Sequence, residues 1–77
     1  MKEYTLLEVE THNTQDDAWL VIDNNVYDIT NFLINHPGGK AILLQLAGTD
    51  ATDYFHELHR PSILEEYAEN FKIGILI

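Results

Sequence analysis

Four histidines are the side chains of this 77-residue sequence best suited to hold a metal, and no cysteine competes with them. His36 follows the apolar stretch Phe32-Leu33-Ile34 and is succeeded at once by Pro37-Gly38-Gly39. His59 follows Phe55 and Leu58 and precedes Arg60-Pro61. Each is expected on a turn between helices, beside apolar side chains, and Ile42, Leu43 and Leu46 continue the apolar surface past the first turn. If two helix pairs form opposite walls of a cleft, the two imidazoles face each other across it. A flat apolar cofactor with two axial positions suits that space, and haem is the obvious candidate. Two other readings stay open on spacing alone. A histidine beside Pro-Gly-Gly is usually only a turn residue. Zinc would draw on His56 and His59 at i, i+3 with Glu57, a weak version of the three or four ligands it wants. His12, beside Asn13, reads most simply as a solvated helix end.

The composition narrows the chemistry further. Absence of cysteine excludes a disulfide scaffold, a thiolate zinc site, an iron–sulfur cluster and covalent c-type haem attachment. Thirteen acids against four Lys and Arg give −9, which argues against nucleic acid because phosphate binding needs clustered cations. An apolar share of 45% is too high for a disordered acidic tail. No apolar run approaches the roughly 20 residues that span a bilayer, and the N-terminus has no signal-peptide core. A soluble, cytoplasmic, monomeric chain is expected, with residues 1–77 forming one domain. So small a domain buries only about 60% of its unfolded-chain surface. The absence of a sulfur staple points to another group completing the fold.

The elements that must position the histidines follow from local pattern. Thr5-Leu6-Leu7-Glu8 has the form of a capping box, so a short helix starts there and frays near His12-Asn13. Trp19 to Ile22, the turn signal Asp23-Asn24-Asn25 and Val26 to Ile29 read as a β-hairpin. Thr30 caps a one-turn helix holding Phe32 and Leu33, which must stop before Pro37. Lys40 to Leu46 reads as a helix ended by Gly48, and Asp50 to Leu58 as another. A further helix runs from Pro61 or Ser62 to about Tyr67, and Phe71 to Ile75 closes the chain as a strand. Strands first and mostly helices later predict an α+β fold.

These residues together resemble the cytochrome b5 family. The resemblance runs from about Tyr4 to Leu76 and is carried by Trp19-Leu20-Val21-Ile22, Val26-Tyr27-Asp28-Ile29-Thr30-Asn31-Phe32-Leu33, His36-Pro37-Gly38-Gly39, Ala47-Gly48-Thr49-Asp50-Ala51-Thr52, Phe55, Leu58-His59 and Phe71-Lys72-Ile73-Gly74. It implies a small mixed sheet with two helix pairs around a haem cleft, and b-type haem held non-covalently by His36 and His59. His56 is the rival second ligand, but Leu58-His59 with a following proline is similar to the cytochrome b5 domain of flavocytochrome lactate dehydrogenases. The stretch from Phe55 to the ligand is one residue shorter than in microsomal forms, which carry a glycine before the histidine. Carried over by position, Ile22, Ile29, Phe32, Ile42, Leu43, Phe55, Leu58, Tyr67 and Phe71 line the pocket, with Pro37, Gly38 and Gly39 at the ligand turn. One helix cannot turn Ile42, Leu43, Leu44 and Leu46 all inward, which leaves Leu44 and Leu46 outside that set. Arg60 stands where microsomal forms have a propionate-binding serine, and a guanidinium suits a propionate carboxylate.

The resemblance implies a one-electron carrier between a flavin-dependent reductase and a haem or non-haem-iron acceptor, not an enzyme in itself. The alternatives are an electron-transfer module detached from a larger oxidoreductase, a haem sensor or storage protein, and an interaction domain without haem. Retention of both histidines speaks against the last. Charge along the chain bears on docking. Residues 1–28 carry seven acids and Lys2, or −6; residues 29–48 carry Lys40 and no acid, or +1; residues 49–77 carry six acids with Arg60 and Lys72, or −4. Microsomal relatives have acids just after His-Pro-Gly-Gly, where Lys40, Ala41 and Gln45 stand here. Acidic docking would therefore rely on Asp53, Glu57, Glu65 or Glu66, or on the propionates. Apolar docking would use Ile34 and Leu44.

Overall fold

The computed structural model describes residues 2–35, 40–57 and 71–77. The helix expected up to Tyr67 lies outside these residues, as do His36, Pro37, Gly38, Gly39, Leu58, His59 and Arg60. In chain order the described elements are β1 (Glu3–Tyr4), α1 (Leu6–Glu10), β2 (Asn13–Thr14), β3 (Asp17–Ile22), β4 (Asn25–Asp28), α2 (Thr30–Asn35), α3 (Lys40–Leu46), α4 (Thr52–Glu57) and β5 (Lys72–Leu76). The strands form one mixed sheet in the order β1-β5-β4-β3-β2, with β1 parallel to β5 and the other pairs antiparallel. This is the expected α+β architecture.

Local chemistry explains most boundaries. The Thr5 hydroxyl accepts from the Glu8 N–H at 3.2 Å and opens α1. Asp23 and Asn24 join β3 to β4 with φ of 52° and 63°. Two left-handed residues in a two-residue loop match the twist of a hairpin, and Asp and Asn tolerate that conformation. Two boundaries differ from expectation. Thr30 is the first residue of α2 rather than its cap, because Asp28 accepts from its N–H at 3.1 Å and from its hydroxyl at 2.7 Å. That leaves the Thr30 hydroxyl to accept from the Ala18 N–H of β3 at 3.0 Å, tying α2 to the sheet. α4 begins at Thr52 rather than Asp50, because Asp50 bridges to Val21 and its carboxylate receives the Thr52 N–H at 3.0 Å.

Period-2 alternation along β3 divides the apolar residues between two faces. Ala18, Leu20 and Ile22 join Tyr27, Ile29, Leu33, Leu43, Ala47 and Ala51 in a buried cluster on the side of α2 and α3. Val21 turns the other way, with Val9 and Val26, under half-buried Tyr4, Trp19, Ile73 and Leu76. After α3 the chain docks on β3. Gly48 donates to the Trp19 carbonyl, Val21 donates to Thr49, and Ala51 donates back to Val21. Among the described residues no helix is long and apolar enough to cross a membrane.

Candidate functional site

The helix-side face of the sheet is the floor of the candidate site. Ile22 comes from the end of β3, Ile29 from the entry to α2 and Leu43 from α3, and all three are buried. Phe32 of α2, Phe55 of α4 and Phe71, which immediately precedes β5, are half-buried and packed against this floor. Phe32 meets Phe71 edge to face at 5.5 Å, the geometry favoured by aromatic quadrupoles. Six of the expected pocket residues are therefore brought into one apolar group drawn from separate elements.

Helix periodicity sorts the remaining candidates. At 100° per residue, Leu43 and Ala47 point to the floor, Leu44 and Leu46 flank them, and Ile42 lies beyond Leu46. Leu44 and Leu46 accordingly pack on the cluster, whereas Ile42 is 48% exposed. Leu43 is buried on the floor and Leu44 and Leu46 touch it, while Ile42, which the sequence reading places inward beside Leu43, stands at its rim. Leu20, Ala18, Ala47 and Ala51 also belong to the floor. The β3 alternation marks Ala18 and Leu20 as partners of Ile22.

The chain leads from this floor to both candidate ligands. His36 follows Asn35, the last residue of α2, and His59 is the second residue after Glu57, the last residue of α4. Both histidines, Pro37, Gly38, Gly39, Leu58, Arg60 and Tyr67 lie outside the described residues. What is described, a floor of aliphatic and aromatic side chains, suits an apolar planar group. The described residues bury no charged or strongly polar side chain and leave no buried side-chain polar atom unpaired. They also include no cluster of three or more acidic or histidine side chains placed to hold a metal.

The other two histidines are engaged elsewhere. His56, on the exposed side of α4, has its Nε2 2.7 Å from the Asp23 carboxylate at the hairpin tip. That hydrogen bond and the Asp23 charge raise its pKa, with Asp53 adding to them and slight desolvation opposing. His12 is not simply a solvated helix end. Its ring stacks on Trp19 at 3.5 Å and 9°, and its Nδ1 lies 2.7 and 2.8 Å from the Asp17 carboxylate oxygens. The pairing of Asn13 with Ala18 places His12 opposite Trp19, a relation visible only once the β2–β3 register is known. Tyr27, on the floor side, has its phenol pKa raised by burial, with Asn25 opposing and Asp23 adding.

Comparison with known proteins identifies the arrangement. Residues 5–77 match the family model described as "Cytochrome b5-like Heme/Steroid binding domain". The chain is 43% identical over 77 residues to cytochrome b5 of Musca domestica, covering all of this chain and 58% of that protein. It is 49% identical over 70 residues to NADH nitrate reductase of Chlorella vulgaris, covering 86% of this chain and 22% of that protein. Among solved structures, cytochrome b5 of Ostreococcus tauri virus 2 superposes with a TM-score of 0.84 at 42% identity, covering 95% of this chain and 94% of the other. The chain thus spans little more than half the length of the fly protein.

Proposed function

The chain belongs to the cytochrome b5 family, whose domains bind haem b non-covalently and carry electrons, and from that premise we propose that it is a one-electron carrier with His36 and His59 as axial ligands. The observation that carries the reading is the apolar floor of Ile22, Ile29, Phe32, Leu43, Phe55 and Phe71, with a histidine following each of the two helices that border it. Haem supplies an iron that cycles between ferric and ferrous. The protein's part is to surround the macrocycle with aliphatic and aromatic side chains and to orient two imidazoles. Pro37, Gly38 and Gly39 shape the first ligand's turn, Leu58 and Tyr67 add to the walls, and Arg60 pairs with a propionate. With His36 and His59 both holding it, haem iron would have no coordination position left for a substrate, which favours carrying over catalysis. In this reading residues 1–77 are a single monomeric domain in the cytoplasm. It accepts electrons from a flavin-dependent reductase and passes them to a haem or non-haem-iron acceptor.

A second reading, an electron-transfer module of a larger oxidoreductase, is favoured by the match to 22% of an NADH nitrate reductase. Absorption spectra test the site common to both. The hemin-loaded chain should show a sharp split α band on dithionite reduction, lost in His36→Ala and in His59→Ala. Failure to take up hemin, or an unchanged band in either variant, overturns the bis-histidine assignment. Carbon monoxide binding to the ferrous form would point to a sensor instead. Arg60→Ala should weaken haem affinity, and an unchanged affinity and potential would remove the propionate pairing.

A further inference from the structure

The contact between the hairpin tip and α4 has no part in the apolar floor, yet it joins the tip to the helix from which the chain proceeds to His59. The Asp23 N–H donates to the Thr52 hydroxyl at 3.0 Å, at the first residue of α4. The Asp23 carboxylate lies 2.7 Å from His56 Nε2, in the last turn. Thr52 and His56 are four residues apart and share one helix face, so a single side chain and its own backbone N–H reach both ends of α4. Thr52 is fixed in turn because Asp50 accepts from its N–H and its hydroxyl. Asp50 itself bridges to Val21 of β3. Asp23 itself has a left-handed φ of 52°, a conformation aspartate tolerates.

We propose that Asp23 is a positioning residue for the second haem ligand, holding α4 to the β3–β4 turn through Thr52 and His56 so that the segment entering His59 starts from a fixed place. The inference rests on the bis-histidine reading above and adds to it a residue far along the sequence from either ligand. It also makes the hold pH-dependent. The groups facing the His56 ring among the described residues are Asp23 from the hairpin and Asp53 from its own helix. Both favour the imidazolium. The folded-state pKa of His56 is raised, so the charged pair stabilises fully below the unfolded value of about 6.5. That contribution is lost as pH climbs through the raised value. The pair is exposed, which limits the expected effect.

The test is the rate of hemin transfer from the loaded chain to excess apomyoglobin, measured from pH 5.5 to 9 for wild type, His56→Gln, Asp23→Asn and the double variant. Each single variant should release hemin about two- to fivefold faster than wild type at pH 6, the size of an exposed charge pair. The ratio should approach one at pH 9. The double variant should be no faster than either single variant. Imidazole titration by NMR is the second measurement, and His56 should titrate at higher pH in wild type than in Asp23→Asn. A ratio of one throughout, a ratio that does not change with pH, or additive effects would overturn the positioning role. A wild-type chain that takes up no hemin would overturn the haem reading as well, an outcome visible before any variant is compared.

Discussion

Replacing Gly48 with alanine perturbs the junction on which the path from α3 to α4 depends. Gly48 has φ of +79°, where an L side chain costs about 1–2 kcal/mol. A Cβ there would lie 2.9 Å from the Asn13 Cβ and 3.2 Å from the Glu10 carbonyl oxygen. Neither neighbour is the free end of a long side chain, so β2 and the end of α1 must shift. Overpacking of this kind adds about 1–2 kcal/mol. The expected loss is therefore about 2–4 kcal/mol, against a total of about 4–12 kcal/mol for a chain of this length. Urea unfolding followed by far-ultraviolet circular dichroism, on hemin-loaded and hemin-free chain, measures it. The corresponding fall in Tm is about 8–32 °C, at about 4–8 °C per kcal/mol for a domain of this size. Gly48→Asn should lose less of the backbone contribution, since asparagine tolerates left-handed φ. A Gly48→Ala chain within about 0.5 kcal/mol of wild type, the usual range for a neutral surface change, would refute the reasoning. The turn would then not need this φ, nor the close approach of β2.

Other substitutions test separate parts of the fold and its docking. Leu33→Ala empties a fully buried position on α2 and should cost about 2–5 kcal/mol in the same unfolding assay; a loss below 1 kcal/mol would show that the floor collapses to fill it. Thr30→Val removes the acceptor of the Ala18 N–H and a donor to Asp28 while keeping the side chain's shape. It should cost about 1–3 kcal/mol, and an unchanged urea midpoint would mean that water replaces the link. Electron transfer to a redox partner should change less than about twofold as the Debye length falls from about 30 to 8 Å, because residues 29–48 contain no acid and Ile42 is exposed there. A steep fall with salt would instead assign docking to acidic groups, among them Asp53 and Glu57 on α4.

Residues with a strong local signal disclosed their structure directly. Thr5 caps α1, the Asp23-Asn24 pair turns the hairpin, and Gly48 takes the left-handed conformation after α3, each because the cause lies within a few positions. The chain-end strand was legible to within one residue, at Lys72–Leu76 rather than 71–75. What was not legible depends on contacts between distant segments. Thr30 looks like a cap until Asp28 occupies that role and Ala18 claims its hydroxyl. His12 looks solvated until β2 lays it on Trp19. Asp23 looks like a turn residue and no more, because its second partner is on a helix that begins at Thr52. On α3, the sequence reading turns Ile42 inward with Leu43 in place of Leu44 and Leu46, because spacing alone does not say which side of the helix meets the sheet. The order was settled by Leu43 and Ala47 facing the floor.

The two-faced sheet has a consequence for what happens when the floor loses its occupant. Val9, Val21 and Val26, with Tyr4, Trp19, Ile73 and Leu76, form a cluster that, among the described residues, contains none from α2, α3 or α4. Its members come from β1, α1, β3, β4 and β5, so this half joins the two ends of the chain independently of the helices across the sheet. Two packing clusters with one wall in common are expected to open separately, so that local opening of one need not carry the other with it. In hydrogen exchange on hemin-free chain, amides of β3, β4 and β5 should stay protected while those of α2, α3 and α4 exchange quickly. Cofactor exchange would then proceed by melting one side of a wall that the other side keeps standing.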